Sequence, residues 1–306
     1  MSVAAQDGKD GTDGGDAGTF EAARPRLFAI AYRMLGSAAE AEDAVQDTFL
    51  RWSAADRSGI EVPVAWLTKV LGNLCLTRLG SARARRESYI GPWLPEPVAT
   101  EGSELGPLDT AEQRDSVSMA FLLLLERLNP AERAVFVLRE AFEYAHGEIA
   151  DILDLTEANS QQLYHRARRR IADERARFPS APERGKRMAQ RFLDAARGGD
   201  LEGLRELLAA DVVSWADGGG KTSAARKPVR GLDKVVRYLG WMTTEVPGLA
   251  VSVLELNGQP GLLATVAEQP LLAVVLDVAD GRITTIRIVN NPDKLVFLNR
   301  QMRRNG

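Results

Sequence analysis

The chain has 306 residues, 45% hydrophobic and 26% charged, with a formal net charge of -3. A chain of that size holds two or three domains with ordinary soluble cores. No apolar run is long enough to span a bilayer, no secretory leader is evident, and the single cysteine, Cys75, cannot make an internal disulfide, so membrane and secreted classes are excluded and a reducing, cytoplasmic setting is expected.

The net charge hides a local segregation. Basic residues cluster over Arg78–Arg86 and Arg166–Arg177 while acids lie elsewhere, so nucleic acid stays open as a partner. Met1–Thr19 is rich in Gly and Asp and reads as disordered, with order beginning near Phe20. Leu27, Ile30, Ala31, Met34 and Leu35 form a helical stripe that stops at Gly36-Ser37. Ala38–Trp52 predicts a second helix, with Ala41, Ala44, Val45, Thr48, Phe49 and Trp52 inward and Glu40, Glu42, Asp43, Gln46 and Asp47 on an acidic outer face. Solvation alone is the ordinary reading of such a face. Val64–Leu79 predicts a third helix that runs into Arg78, Arg83, Arg85 and Arg86, a positive end suited to a DNA backbone. Trp66, Tyr89 and Trp93 stand near it, where aromatics either stack on unpaired bases or simply pack.

Tyr89–Leu108 carries many Pro and Gly residues and no period, as a linker does, yet YIGPWLPEP is too apolar for a free tether and should bury itself on some surface. A helix is expected over Thr110–Leu128, and Asn129-Pro130 caps another over Ala131–Glu140. His146–Arg170 then predicts two short helices around a tight turn. Ile149, Ile152 and Leu153 mark the first; Thr156 caps the second, whose stripe is Leu163, Ala167 and Ile171. Asn159, Gln161 and Gln162 lie on its first turns and Arg166, Arg168, Arg169 and Arg170 further along, the pattern of a helix-turn-helix whose second helix reads base edges and neutralises phosphates. A helical hairpin with a solvated basic face is the plainer alternative.

After Phe178-Pro179-Ser180-Ala181-Pro182 the texture changes. Helices are expected over Met188–Ala196, Leu201–Leu208 and Leu232–Val246, and strands over Asp211–Ala216, Leu249–Leu256, Leu262–Ala267, Leu271–Val278 and Ile283–Val289. Gly258, Gln269-Pro270 and Asp280-Gly281 supply hairpin signals, giving a separate α+β domain with a curved antiparallel sheet and helices on one face.

AEDAVQDTFLRW (Ala41–Trp52), VAWLTKVLGNLCLTRL (Val64–Leu79) and LNPAERAVFVLRE (Leu128–Glu140) with the helix-turn-helix resemble, in order, regions 2.2, 2.3–2.4 and 4 of bacterial extracytoplasmic-function sigma factors. The third domain resembles SnoaL-like proteins of the cone-shaped cyclase fold. WLPEP (Trp93–Pro97), DGGGK (Asp217–Lys221) and NPDKL (Asn291–Leu295) match the sigma-factor subgroup that carries such an extension. The resemblance implies two all-α sigma domains and a cone domain: 20–88 as region 2, 89–109 as linker, 110–178 as region 4 and 183–306 as the SnoaL-like part. It implies core RNA polymerase as partner, with Asp43, Gln46, Asp47, Phe49 and Trp52 on the β′ clamp helices and region 4 at the β flap. It implies −10 DNA at Trp66, Lys69, Asn73, Arg78, Arg83, Arg85 and Arg86, and −35 DNA at Asn159, Gln161, Gln162, His165, Arg166, Arg168 and Arg169. The sequence departs from the class in one place: EANSQQLYHRARR lacks the usual Thr-Val-Lys-Ser start of the recognition helix.

Catalysis by the third domain is weighed and set aside. Both histidines, His146 and His165, belong to the DNA-binding block, and Asp217 and Asp293 alone make no acid-base pair. No cofactor or metal is expected, and a small ligand of the cone stays open. Asp217, Gly218, Gly219, Gly220 and Lys221 read as an anion nest or a hairpin tip, and Asn291-Pro292 as a helix start followed by Asp293 and Lys294. The expectation that joins these motifs is docking of Trp93, Leu94, Pro95, Glu96 and Pro97 near them, so that the third domain regulates in cis. A helix-turn-helix regulator with a ligand-sensing or cyclase-like tail is the alternative function.

Overall fold

The computed structural model describes residues 13–100, 105, 111–171, 182–242 and 246–305. The first block is α1 (Asp13–Leu35), α2 (Ala38–Ala54) and α3 (Pro63–Glu87). Helix starts at Asp13 rather than near Phe20, because extending an already nucleated helix backward is cheap; residues 1–12 lie outside the described residues. Ser37 caps α2 by accepting from the Glu40 amide, and Pro63 opens α3 at a position that needs no N–H donor.

The second block is α4 (Ala111–Asp115), α5 (Met119–Leu125), α6 (Pro130–Phe142), α7 (His146–Leu153) and α8 (Glu157–Ile171). The helix expected over Thr110–Leu128 is broken at Ser116–Ser118, where Ser118 restarts the chain as an N-cap on the Phe121 amide. Asn129 and Glu132 form a capping box on α6, and Asp154 closes α7 in the left-handed region at φ 53°. The two blocks share one apolar core: Leu27, Phe28, Leu67 and Leu71 pack in the same cluster as Phe121, Phe136, Ile152 and Leu153. Cys75 is buried in it, and burial pushes its thiol up to about 12.

The third domain runs α9 (Pro182–Arg197), α10 (Leu201–Leu207), β1 (Leu208–Asp217), β2 (Val229–Arg230), α11 (Leu232–Met242), β3 (Leu249–Leu256), β4 (Gln259–Val266), β5 (Gln269–Ala279), β6 (Arg282–Val289) and α12 (Pro292–Asn305). Its six-stranded sheet has the order β2-β1-β6-β5-β4-β3. The sheet is mixed, not wholly antiparallel: β3 to β6 form a meander, but β1 lies parallel to β6. Register shifts in β1–β6, β4–β5 and β5–β6 mark irregularities of the kind that bend strands.

Alternation along the strands divides the sheet into two covered faces. Leu262, Val274, Leu276, Ile286 and Ile288 pack with Phe192, Leu204 and Val236 of α9, α10 and α11. Leu263, Ala273, Val275 and Val289 face the other way and meet Leu295 and Leu298 of α12, Leu94 of the linker and Met119 of α5. Helices therefore cover both faces, because the second face is the seat of the first two blocks.

The β3–β4 hairpin tip is the point where every unit meets. Asn257 and Gly258 both have positive φ (54° and 68°), as a two-residue type I′ turn requires. The tip is buried instead of solvated. The Asn257 side chain donates to the Tyr32 hydroxyl at 2.6 Å and to the Val117 carbonyl at 3.0 Å, and accepts from the Val98 amide at 3.1 Å. Asn257→Ala strands these groups and puts a Cβ-only residue in the left-handed region. It is expected to cost about 3 kcal/mol, read as a lower urea midpoint with an unchanged denaturant slope.

Candidate nucleic-acid interface and linker dock

On α2, Asp43 and Gln46 are exposed, Asp47 is half-exposed, and Phe49 shows 37% of its surface beside Phe20. Trp52 does not share that surface. It is 3% exposed and tilts against Trp66 at 5.5 Å, so it supports the helix from inside rather than offering a docking contact.

The described candidates on α3 face partners within the chain. Lys69 Nζ reaches Asp154 at 2.5 Å and Asn73 donates to the same carboxylate at 3.4 Å. Arg78 donates to Asp47 at 2.7 Å. Arg86 turns inward: it pairs with Glu126, donates to the Leu35 carbonyl at 2.8 Å and stacks 3.8 Å over the Trp93 ring. In this conformation Arg86 belongs to the junction between the blocks and not to an open DNA face. The side chains of Arg83 and Arg85 lie outside the described residues.

The helix-turn-helix presents a more open face. Ser160, Leu163, Ala167 and Ile171 form the buried stripe of α8. Asn159, Gln161, Gln162, His165, Arg166, Arg168 and Arg169 are all exposed on the remainder. Arg170, by contrast, is tied to buried Glu132 of α6 at 2.8 Å, and Thr156 accepts from the Asn159 amide at 3.2 Å, so the helix is held at both ends.

The linker threads between the first block and the cone, with two carboxylates organising it. Asp217 is fully buried at the end of β1. It accepts from the Tyr89 hydroxyl at 2.6 Å, the Leu94 amide at 2.7 Å, Lys294 Nζ at 2.7 Å and the Gly219 amide at 3.1 Å. Lys294 also donates to the Leu94 carbonyl and lies 4.3 Å from the Trp93 ring. Glu96, 7% exposed, accepts from the Ser37 hydroxyl at 2.6 Å and the Ala39 amide at 3.0 Å, placing a carboxylate at the N-terminus of α2. Burial pushes the Glu96 carboxyl up, against the lowering pull of those hydrogen bonds. Leu94, Pro95 and Pro97 are buried along the same path.

The glycine run has a packing explanation. A Cβ on Gly219 would overlap Asn291, one on Gly220 would press on Ile90, and one on Gly218 would meet Thr222. The loop thus lies flat enough for the linker to cross it. Lys221 pairs with Asp293 at 2.5 Å, and Asn291, just ahead of Pro292, accepts from the Asp293 amide and donates to the Tyr89 hydroxyl at 2.9 Å.

Sequence reasoning missed several groups here. Tyr32, Asn257, Glu126 and Asp154 each join distant segments, and Gln259, Asp277 and Arg287 form a buried polar cluster beneath the Met119 amide. Gly258 signalled the hairpin beside Asn257; the others had no local signal. No group of three or more His, Cys, Asp or Glu residues among the described residues is placed to hold a metal ion. No helix among the described residues is long and apolar enough to cross a membrane.

The family profile for Sigma-70 region 2 matches residues 19–85, that for Sigma-70 region 4 matches 118–171, and that for the SnoaL-like domain matches 189–286. The chain is 38% identical over 287 residues to the ECF RNA polymerase sigma factor SigJ of Mycobacterium tuberculosis, covering 90% of this chain and 91% of that protein. It is 34% identical over 284 residues to a probable ECF RNA polymerase sigma factor, SigI, of the same organism, covering 90% and 93%. The crystal structure of Mycobacterium tuberculosis SigJ superposes with a TM-score of 0.73 at 34% identity, over 92% of this chain and 98% of that one. With regions 2 and 4 in order and a SnoaL-like domain behind them, the chain belongs to the extracytoplasmic-function sigma factors of RNA polymerase.

Proposed function

We propose that this sigma factor docks on the β′ clamp helices of core polymerase through Asp43, Gln46, Asp47 and Phe49 of α2, with region 4 at the β flap. In this reading α3 holds the opened −10 strand through Trp66, Lys69, Asn73 and Arg78, where extruded bases recover lost stacking in protein contacts. The exposed face of α8 reads the −35 element. The third domain acts in the cytoplasm as a regulator in cis, through the contacts of Asp217 and Lys294 with the linker, and turns over no substrate. The observation that supports it most is the paired arrangement: a buried stripe holding α8 so that its amides and guanidiniums face solvent, in one chain with an exposed acidic α2.

The test is initiation in vitro on genomic DNA fragments, with and without core polymerase. The wild-type chain should initiate only with core. Arg166→Ala with Arg169→Ala should cut initiation at least about tenfold, since phosphate and base contacts at guanidiniums are worth about 1–3 kcal/mol each. Tight duplex binding by the free chain with no core-dependent initiation would favour a simple helix-turn-helix regulator instead.

A further inference from the structure

A cavity of about 340 Å³ lies where the end of α3, the linker, α5 and α6 meet. Its floor is buried: Leu79, Leu128 and Arg133 are 4%, 6% and 2% exposed. Arg86, Trp93 and Glu126 stand half-buried around it, so a solute from outside meets a buried cation. That cation has a donor to spare. Arg133 Nη1 donates to Glu126 at 2.5 Å, and Nη2 lies 3.5 Å from the Arg33 carbonyl, at the limit of a hydrogen bond. Its Nε–H has no acceptor among the described residues, which is uncommon for a buried group. The Glu126 carboxylate is itself divided, since Arg86 pairs with it too. Burial pushes the Arg133 guanidinium down to about 9, the direction of a cation whose lost hydration is only partly replaced.

The other walls are apolar. Leu79, Leu123, Leu128 and Pro130 line the cavity beside the Trp93 ring. That ring is held in place: Arg86 stacks 3.8 Å over it, and its edge lies 3.0 Å from where a Cβ on Gly36 would stand. We propose that this cavity is a binding site for a small amphipathic anion, a carboxylate on an aromatic body, whose oxygen accepts from the Arg133 guanidinium while the body lies on Trp93, Leu79 and Leu123. A volume at the lower end of ligand pockets has room for roughly a two-ring acid. A nucleic-acid phosphate is not the anion that fits, because a backbone chain does not reach a guanidinium that is 2% exposed. The site is separate from the interior of the cone, and its occupant touches α3, the linker and α6 together.

Calorimetric titration of the full-length chain with 2-naphthoate, its neutral amide and 2-naphthylmethylammonium separates the charge from the apolar body. 2-Naphthoate should bind one site per chain, at least about tenfold more tightly than the amide, the factor of one charge-assisted hydrogen bond. The ammonium should not bind. Arg133→Met should bring 2-naphthoate and the amide to equal affinity. Arg133 also holds Glu126, so a second variant leaves every charge in place: Leu123→Trp fills the cavity from its half-buried wall and should weaken 2-naphthoate at least about tenfold. Equal affinity of the wild-type chain for 2-naphthoate and the amide, binding of the ammonium as tight as that of the acid, or undiminished binding by a folded Leu123→Trp overturns the proposal. The titration uses the chain without core polymerase, so its failure leaves the sigma reading untouched, and a chain that does not initiate with core can still bind the acid.

Discussion

Asp217→Asn is expected to destabilise the folded chain by about 3–5 kcal/mol, the cost of breaking one side of a buried ion pair. The carboxylate is fully buried and receives hydrogen bonds from Tyr89, Leu94, Gly219 and Lys294, so its loss weakens the linker and the start of α12 together. The Lys294 ammonium then stays buried with the Leu94 carbonyl and the Trp93 and Tyr89 rings for company. The deficit should also depend on pH in a definite direction. Burial pushes Lys294 down from 10.5 to about 8, so the unfolded chain binds more protons between those values and stability rises with pH across that window. Keeping Lys294 charged costs stability below about 8, and that cost is relieved above it. Removing Asp217 lowers the folded value further. The gap between wild type and Asp217→Asn should therefore be widest well below pH 8, narrow as pH rises toward it, and stay level above it. Urea denaturation at a series of pH values measures this, and a gap that widens on the alkaline side would show that Lys294 is not the group left unpaired.

Which parts of this arrangement the sequence disclosed follows from what is local and what is not. Helices α2, α6 and α8 were legible because their apolar stripes recur at helical spacing, and the caps Asn129 and Thr156 sit beside α6 and α8. The β3–β6 meander was legible from Gly258 and Asp280-Gly281, since a two-residue turn fixes its neighbours, whereas the middle turn falls at Ala267-Glu268 and Gln269-Pro270 opens β5 instead. The parallel pairing of β1 with β6 was not, because Trp215 finds Arg287 across an intervening helix and four strands. The break at Ser116–Ser118 was hidden by apolar residues that keep the helical period through it. Arg86 looked like a DNA contact because charge reads as surface; only the fold brings Glu126 and Trp93 to it. The linker dock fell between these cases. WLPEP and DGGGK stood out through the resemblance to the sigma-factor subgroup, and the apolar linker needed a surface to cover it, but the atoms that join them, above all the Asp217 carboxylate on the Leu94 amide, depend on a strand end meeting a chain more than a hundred residues away.

Phe297→Ala carries a comparable cost, about 3–5 kcal/mol, and its effect should appear in region 2 although the residue lies in the third domain. Phe297 is 4% exposed and stacks on Phe28 of α1, with ring centroids 5.3 Å apart and planes 10° from parallel. Next to it Arg300 pairs with Glu42 of α2, and Gln301 accepts from the Ala99 amide at 2.9 Å. The last helix of the chain is thus part of the core of the first block. If the third domain were only a removable inhibitor, a chain cut ahead of α9 would be a freer and more active sigma factor. The packing argues the opposite for the complete cut: Phe28 and Tyr32 lose Phe297 and Asn257 at once, exposing apolar surface and leaving the Tyr32 hydroxyl with only its bond to the Glu96 carbonyl. Such a chain should melt at lower temperature with a broader transition, aggregate on purification, and initiate less than the full chain in the presence of core polymerase. A truncated chain that stays monodisperse, melts as sharply as the full chain and initiates at least as well would show that region 2 is complete without α12.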